Sequence, residues 1–326
     1  MRRKRIKIPS GAYYHLVSRC AFQQFMFTDE EKQAFVPMMR RVAAFCGLDI
    51  LTYCVMSNHF HILVRVPPPR PISESELLAR VAILYGSTRA KETRARWAVF
   101  RRAGLPNLLE QEKSKLRERM GDISPFMHDF KLRFSIWHHA HNKTDGKTYT
   151  GTLWDSRFSS TLVEGNGSLA AVAAYIDLNP VRAGIVQDPK DYAFSGYGAA
   201  MTGDSNALQG LAGVYGEIAT SPDKLMSAYR GLLYAKGADV LTPESTQQAQ
   251  SGSQQTALPL LLRTKIRAMT KGVVLGSPGF TASLYAAQPD AFGEPDHQPP
   301  RTTSLCPMWD GIQLCTIRFR SSAPSA

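Results

Sequence analysis

The segment "CVMSNHFHILVRV", residues 54–66, carries two histidines, His59 and His61, in a run that otherwise has the composition of a buried β-strand. Side chains alternate between the two faces of a strand, so both imidazoles share one face. The opposite face is apolar and comprises Phe60, Ile62, Val64 and Val66. Two neutral imidazoles on a rigid strand suit Mn²⁺, Zn²⁺ or a similar cation. Histidines that only hydrogen-bond on a half-exposed sheet face would show the same pattern, so this pair alone leaves both interpretations open.

A second pair with chemical potential lies in "AYIDLNPVRAG", residues 174–184. Tyr175 and Asn179 are four residues apart in a predicted helix, so they share a helix face at about 5–6 Å between Cβ atoms. The Asn179 carbonyl oxygen is a hard ligand for Mg²⁺ or Mn²⁺, and the Tyr175 hydroxyl could attack a phosphate polarised by that ion. Alternatively, Tyr175 packs in the core and Asn179 caps the helix before Pro180. The spacing does not decide between these interpretations.

The overall charge favours a polyanionic partner. The chain of 326 residues has a formal net charge of +12 and a pI near 9.6, which is typical of proteins that bind nucleic acid or an anionic membrane surface. No apolar run approaches the ~20 residues needed to span a bilayer. The N-terminal residues 1–9 lack the apolar core of a secretory signal. We interpret them as a basic arm that contacts phosphates through Arg2, Arg3, Lys4, Arg5 and Lys7.

The cysteines indicate a reducing compartment. The chain has five, which are widely scattered and include no CxxC pair. This distribution is typical of buried, reduced thiols in a cytoplasmic protein rather than of a disulfide framework or a zinc site.

The order of predicted elements indicates an α+β fold. Strands are predicted over 12–20, 48–56, 59–66 and 149–163, with a turn at Ser57 and Asn58 and with Arg157 at the centre of the last strand. Helices are predicted from Asp29, where Pro37 implies a kink or a later start, and over 123–142 and 168–180. A charged helical insertion over 72–120 opens with a capping box from Ser73 to Glu76. This order predicts a ferredoxin-like sandwich with a mainly antiparallel sheet and helices on one side.

The second half of the chain gives weaker signals. Residues 201–241 are interpreted as a helical extension, and the Gln- and Ser-rich residues 242–256 as a flexible linker. Residues 257–326 are predicted to form a small accessory region, with a basic helix, a turn at Lys271 and Gly272, and a second helix. The C-terminal extension is therefore expected to be mostly helical.

Four segments resemble successive motifs of one family. "YYHLVSRC", "TYCVMSNHFHILVRV", "GTLWDSRFSSTLVEG" and "AAYIDLNPVRAGIV" are similar, in this order, to the motifs of the single-tyrosine HUH transposases of bacterial insertion sequences, and most similar to the REP-associated tyrosine transposases. The resemblance covers residues 10–200, which we therefore predict to be the transposase domain. It implies a ferredoxin-like nuclease domain that binds single-stranded or hairpin DNA.

The resemblance also implies the roles of individual residues. Carried over to this chain, His59 and His61 are the paired histidines, Asn179 is the third ligand of Mg²⁺ or Mn²⁺, and Tyr175 is the nucleophile that forms a 5′-phosphotyrosine link and releases a 3′-OH. Arg157, which lies between Trp154 and Phe158, combines a charge with stacking surfaces and is the best candidate for a DNA contact. The basic arm is expected to add salt-sensitive, non-specific affinity.

The sequence therefore predicts a metal-dependent transposase that cleaves and rejoins single-stranded or hairpin DNA. Two alternatives remain open: a domesticated binder of structured DNA with little or no cleavage, and an HUH replication initiator or relaxase. The expected location is the bacterial cytoplasm, in association with the nucleoid and without a membrane partner. A homodimer that exchanges the tyrosine helix and a monomer are both compatible with the sequence.

Overall fold

The computed structural model describes residues 6, 8, 10–144, 147–148, 151–165, 167–215, 221–234, 270, 273–288, 302–309 and 312–317. Several predictions concern residues outside these ranges. They are the five cations of the basic arm (Arg2, Arg3, Lys4, Arg5 and Lys7), the linker over 242–256 and the basic helix before Lys271.

Among the described residues, seven strands form one sheet, and two short strands form a separate hairpin. The strands are β1 (Ala12–Arg19), β2 (Asp49–Val55), β3 (His59–Val66), β4 (Lys143–Thr144), β5 (Lys147–Thr148), β6 (Ser159–Val163), β7 (Val274–Gly276), β8 (Thr302–Trp309) and β9 (Ile312–Ile317). The four strands that the sequence predicted lie in the order β2-β3-β1-β6, and each pairs antiparallel with its neighbour. This is the strand order of a ferredoxin-like sandwich, as the sequence predicted.

The helices lie on both faces of this sheet. They are α1 (Asp29–Cys46), α2 (Glu74–Tyr85), α3 (Ser87–Arg102), α4 (Pro106–Arg117), α5 (Ile123–His141), α6 (Gly167–Asp177), α7 (Asn179–Arg182), α8 (Gly196–Met201), α9 (Ser205–Tyr215), α10 (Pro222–Tyr234) and α11 (Pro278–Ala287). The fold is thus α+β, with the predicted helical insertion present as α2, α3 and α4.

Helices α1 and α5 cover the apolar face of the sheet. A capping box between Thr28 and Glu31 opens α1, and the helix continues through Pro37 to Cys46. Its Phe35 packs against Phe60 of β3 at 4.9 Å between ring centroids. The same ring contacts two aromatic rings of α5, those of Phe130 and Phe134. All four rings are fully buried, so this face forms a continuous apolar core.

The opposite face of the sheet is covered as well, by α6, α8, α9 and α10. A second apolar cluster joins Leu63 of β3 to Leu211 of α9 and to Tyr229 of α10. Helix α9 approaches β2 closely at Gly210, where an added Cβ would lie 2.5 Å from the Leu51 carbonyl oxygen. The prediction of helices on one side of the sheet was therefore incomplete, because the histidine-bearing face is also a buried interface.

The C-terminal part adds strands as well as the expected helices. Helices α9 and α10 lie within the predicted extension over 201–241, and α11 corresponds to the second helix of the accessory region. Strand β7 pairs parallel with β6, and β9 and β8 continue the sheet beyond it. The sequence did not predict these three strands. The partner of β7 on β6 is remote in the chain, whereas β8 and β9 are adjacent in the chain and pair with each other.

One local boundary differs from the prediction. Strand β6 begins at Ser159, so Arg157 lies in the preceding loop rather than at the centre of a strand. This loop is attached to β1 by an isolated bridge between Cys20 and Trp154 and by a 3.1 Å hydrogen bond from Asp155 N to Arg19 O. Because these contacts lie at the end of β1, the chain passes across that end before it enters the sheet.

Candidate functional site

His59 and His61 lie on one face of β3, and the structure adds a third histidine beside them. In the antiparallel register, His59 lies opposite Arg19 and His61 opposite Val17 of β1. His15, two residues before Val17, therefore points to the same face. Its Nε2 atom lies 2.8 Å from His61 Nδ1. The His59 and His61 ring centroids are 5.1 Å apart, so the three imidazoles form one cluster.

The environment of His61 favours a neutral imidazole. The side chain is only 2% exposed, and burial lowers its pKa well below the usual value. The neighbouring His15, His59, Arg182 and Arg19 lower it further, because each would repel a protonated ring. A neutral imidazole is the form that binds a metal ion. Burial and the neighbouring groups therefore favour, at neutral pH, the form of His61 that can bind a metal ion.

Hydrogen bonds orient both predicted ligands. The contact with His15 engages Nδ1 of His61, and His59 Nδ1 lies 2.6 Å from the side-chain oxygen of Asn58. Metal-bound histidines commonly use their second ring nitrogen in this way, which fixes the ring and its tautomer. In both side chains, Nε2 is then the atom that can bind a cation.

The predicted nucleophile Tyr175 lies on α6 against the histidine cluster. Its ring centroid is 6.2 Å from that of His61 and 6.3 Å from that of His15, both in edge-on orientation. The guanidinium of Arg182 lies over the Tyr175 ring, with Cζ 3.9 Å from the ring centroid. Tyr175 is 2% exposed, and its ring is in contact with both histidines and with the arginine.

Arg182 also fixes the backbone that carries Tyr175. Its Nη2 atom donates a 2.6 Å hydrogen bond to the Tyr175 carbonyl oxygen, near the end of α6. Burial lowers the pKa of the Arg182 guanidinium, and the adjacent Tyr175 phenol opposes that shift. Arginine nevertheless keeps its proton in this environment. The tyrosine is thus in contact with a positive charge that can stabilise a phenolate or a phosphate oxygen.

Asn179 caps the helix that carries Tyr175. Its Nδ2 atom donates to the carbonyl oxygens of Tyr175 and Ile176, at 3.3 and 3.1 Å. The capping interpretation left open by the sequence is therefore present in the structure. It does not exclude a ligand role, because the two donor bonds use the nitrogen and a metal would use Oδ1.

Asp177 anchors the same helix on its other side. The carboxylate accepts hydrogen bonds from Thr52 Oγ1 at 3.0 Å, from Tyr197 N at 3.1 Å and from the Tyr229 hydroxyl. It is fully buried, and burial raises its pKa to about 7, against these three donors, which lower it. These bonds join α6 to β2, α8 and α10, so they set the orientation in which Tyr175 faces the histidines.

The donor set is compatible with a divalent cation. Within the described ranges, no group of three or more His, Cys, Asp or Glu side chains is arranged to hold a metal ion. A site here would therefore depend on two imidazoles and a neutral oxygen, for which Asn179 is the predicted donor. Imidazole and amide ligands suit Mn²⁺ and similar ions, and such a set keeps positions for water and phosphate.

Sequence reasoning missed His15 and Arg182. His15 stands in the predicted strand "YYHLVSRC", on the face shared by Tyr13, Val17 and Arg19, but its partner strand and register could not be read from the sequence. Arg182 follows Asn179 by three residues, which would place it near the same helix face. The sequence prediction ended this helix at Pro180, so Arg182 lay outside it and was not considered.

Comparisons with known proteins connect this site to one family. Residues 9–78 match the family model described as "Transposase IS200 like". The matched segment runs from the start of β1 into α2, and so contains both histidines of β3. Within that segment, this match confirms the resemblance to insertion-sequence transposases. The match ends before Tyr175 and Asn179, which stay predictions.

The chain was also compared with curated proteins and with solved structures. No curated protein matches the chain. Among solved structures, the chain is similar to a REP-associated tyrosine transposase bound to a REP hairpin, with 14% identity and a TM-score of 0.34 over 62% of this chain and 86% of that chain. No helix in the described part of the chain combines the length and the apolar character needed to cross a membrane.

Proposed function

We propose that this protein is a metal-dependent DNA transposase that cleaves and rejoins single-stranded or hairpin DNA through a 5′-phosphotyrosine intermediate. The observation that carries the proposal is the contact of Tyr175 both with the His15–His61 pair and with Arg182. A tyrosine that only filled the core would need neither the imidazoles nor the cation.

In the proposed reaction, Tyr175 Oη attacks the scissile phosphorus while the bond to the 3′ oxygen breaks. The phenol loses its proton, and the departing oxygen takes one up to become a 3′-OH. A phenol with a pKa near 10 is a weak nucleophile at neutral pH, so a neighbouring positive charge is required. Arg182 is the residue in contact with the ring that can supply it. The phosphotyrosine bond retains the energy of the phosphodiester, so the reverse reaction can join strands without a nucleotide cofactor.

Mg²⁺ or Mn²⁺, bound by His59, His61 and Asn179, would polarise the scissile phosphate and orient it. The protein's own contribution is to hold the ligands in place. Asn58 and His15 orient the two imidazoles, and the amide of Asn179 keeps its carbonyl oxygen close to the end of α6.

The burial of Tyr175 favours one alternative, a protein that binds structured DNA and rarely cleaves it. Because Tyr175 is 2% exposed, its hydroxyl can reach a phosphate only after the groups that cover it move. If DNA binding does not induce that movement, the histidine site is retained without turnover.

A gel assay with the unmodified chain and with Tyr175→Phe tests the proposal. End-labelled single-stranded hairpin oligonucleotides are incubated with protein and either Mn²⁺ or Mg²⁺, and the products are separated under denaturing conditions with and without protease. We expect a protease-sensitive, slowly migrating adduct from the unmodified chain and none from Tyr175→Phe, with DNA affinity unchanged within a few-fold. An adduct from the variant would show that another residue is the nucleophile. Tight binding without an adduct, across many hairpins and both metals, would support the alternative.

A further inference from the structure

The two most exposed large hydrophobic side chains in the described part of the chain lie on one short loop. Phe22 is 84% exposed and Phe25 is 81% exposed, whereas Ile136, the next in this group, is 62% exposed. Exposing two benzyl groups within four residues is unfavourable in water. A loop that retains them therefore has either a ligand or a partner for them.

The backbone at Phe22 is also in an unusual conformation. Its φ of 54° and ψ of 16° make it the single non-glycine residue with positive φ among the residues that the structure describes. A left-handed conformation is rare for a bulky residue, and such outliers concentrate at binding and active sites. Here the conformation turns the phenylalanine side chain into solvent instead of into the adjacent core.

Backbone hydrogen bonds hold this loop against the candidate site. At its start, Cys20 N donates to Asn58 O at 2.9 Å, and at its end Phe27 N donates to Ser57 O at 2.9 Å. Ser57 and Asn58 form the turn that leads directly into His59. The loop that carries both phenylalanines is therefore tied at each end to the turn before the first predicted metal ligand.

Positive charges surround the same end of the sheet. Arg19 precedes the loop and lies opposite His59 in the register of β1 and β3. The loop before β6, which carries the exposed Arg157, is attached here through Ala21 N, which donates to Leu153 O at 3.0 Å. Lys131 of α5 donates to Ser156 O at 2.9 Å in that same loop. Exposed aromatic rings next to several cations are the combination by which proteins bind single-stranded nucleic acid, with bases on the rings and phosphates on the charges.

We infer that Phe22 and Phe25 form a stacking site for unpaired bases of the DNA strand next to the scissile phosphate. Stacking is tolerant of base identity, because every base has a π-face. The site would therefore secure the single-stranded segment beside the histidines without selecting its sequence. This inference rests on the proposed function in so far as both require a single-stranded DNA substrate.

Binding measurements on a protein that cannot react test the inference. In a Tyr175→Phe background with Mn²⁺, fluorescence anisotropy compares a hairpin that carries a randomised single-stranded flank of about six nucleotides with the same hairpin made blunt. We expect Phe22→Ala and Phe25→Ala each to weaken binding of the flanked hairpin about tenfold, which is the usual effect of removing one stacking ring. Affinity for the blunt hairpin should stay within about twofold. Phe25→Trp should retain flank-dependent binding, because indole also stacks.

A matched control and a crosslink make the result specific. Val99→Ala removes an exposed hydrophobic side chain from α3, in the helical insertion, and should leave both affinities unchanged. With 5-iodouracil in the flank, irradiation should attach DNA to the tryptic peptide Cys20–Lys32, at Phe22 or Phe25. Equal affinity of all variants for the flanked hairpin, or a crosslink confined to other peptides, would overturn the inference. The inference would also be overturned if the phenylalanine variants changed the sedimentation of the protein without changing DNA binding. That result would show that the two rings form a contact between copies of the chain.

Failure of this inference is distinguishable from failure of the proposed function. If the unmodified chain forms the adduct while the phenylalanine variants bind the flank normally, only the stacking site is wrong. If flank binding depends on the phenylalanines but no hairpin yields an adduct, the stacking site holds and the nuclease function fails.

Discussion

The two faces of the central sheet are formed by the same strands but carry different kinds of side chain. On one face, Phe60 of β3 packs into an aromatic cluster with Phe35 of α1 and Phe130 of α5. On the other face, one residue away, His61 lies buried beside His15 and Tyr175. Burial of apolar rings stabilises the fold, whereas burial of imidazoles and of a carboxylate such as Asp177 costs stability unless hydrogen bonds compensate. The comparison indicates that the aromatic face stabilises the sheet, and that the position of the histidines on the other face depends on this stability.

The largest expected effect is a loss of stability on the aromatic face. Phe35→Ala removes a fully buried ring that contacts Phe60, Phe130 and Phe134, and should lower the free energy of unfolding by about 3–5 kcal/mol. Denaturant unfolding measures this change, and Phe35→Leu, which preserves much of the volume, should cost less. A loss below about 1 kcal/mol would show that this face does not carry the stability of the domain.

On the histidine face, a substitution is expected to affect the cleavage reaction more than the stability of the fold. His61→Ala should reduce adduct formation at least about 100-fold, since removal of even an outer partner of a metal ligand costs ~10–100-fold. It should destabilise the fold less than Phe35→Ala does, and circular dichroism with the same unfolding assay checks this. If His61→Ala unfolds the protein while the remaining folded fraction forms the adduct normally, His61 acts in stability rather than in chemistry. The proposed difference between the two faces would then be wrong.

Asn179 lies at the boundary between structure and chemistry, because it both caps α6 and is a predicted ligand. Asn179→Ala should raise the Mn²⁺ concentration needed for half-maximal cleavage about tenfold. Asn179→Asp separates the two roles: it loses the donors to Tyr175 O and Ile176 O but keeps a ligand oxygen. A normal Mn²⁺ requirement in Asn179→Asp supports the ligand role, whereas an equal defect in both variants assigns the effect to capping.

The smallest expected effect concerns pH. Burial lowers the pKa of Lys131 to about 8, with the Cys20 thiol as a minor opposing influence. The lysine is therefore protonated at pH 7 and largely neutral at pH 9, so DNA affinity should fall a few-fold over that range as one attraction to phosphate disappears. Lys131→Arg keeps its charge and should show a smaller decrease in the same anisotropy titration. Identical pH profiles for the two proteins would exclude Lys131 as the source.

Much of the fold could be predicted from local sequence patterns. The alternation in "HFHILVRV" predicted both the apolar face of β3 and the shared face of His59 and His61, because strand geometry requires it. Helix α1 begins at Asp29, the residue from which the sequence predicted it. The helical insertion was predicted from its capping serine, Ser73, whose side chain accepts a hydrogen bond from Glu76 N.

Other features depend on contacts that no local pattern encodes. The addition of β7, β8 and β9 to the sheet joins segments more than 100 residues apart, as in the pairing of Leu162 with Val274. Pairing over such distances is decided by the assembled sheet edge rather than by propensity. Likewise, the position of Arg157 in a loop follows from the attachment of Asp155 to the end of β1.

For the site, the sequence by itself determined which residue types are available and which of them share a strand or a helix face. It supplied His59, His61, Tyr175 and Asn179, together with the resemblance that gave them roles. Only the tertiary structure brought the tyrosine helix onto the histidine face and added His15. The physical reason is that spacing along a strand or a helix is set by backbone geometry, whereas the approach of α6 to the sheet is set by distant partners. Among these partners are Thr52 and Tyr229, which bind Asp177 across the core.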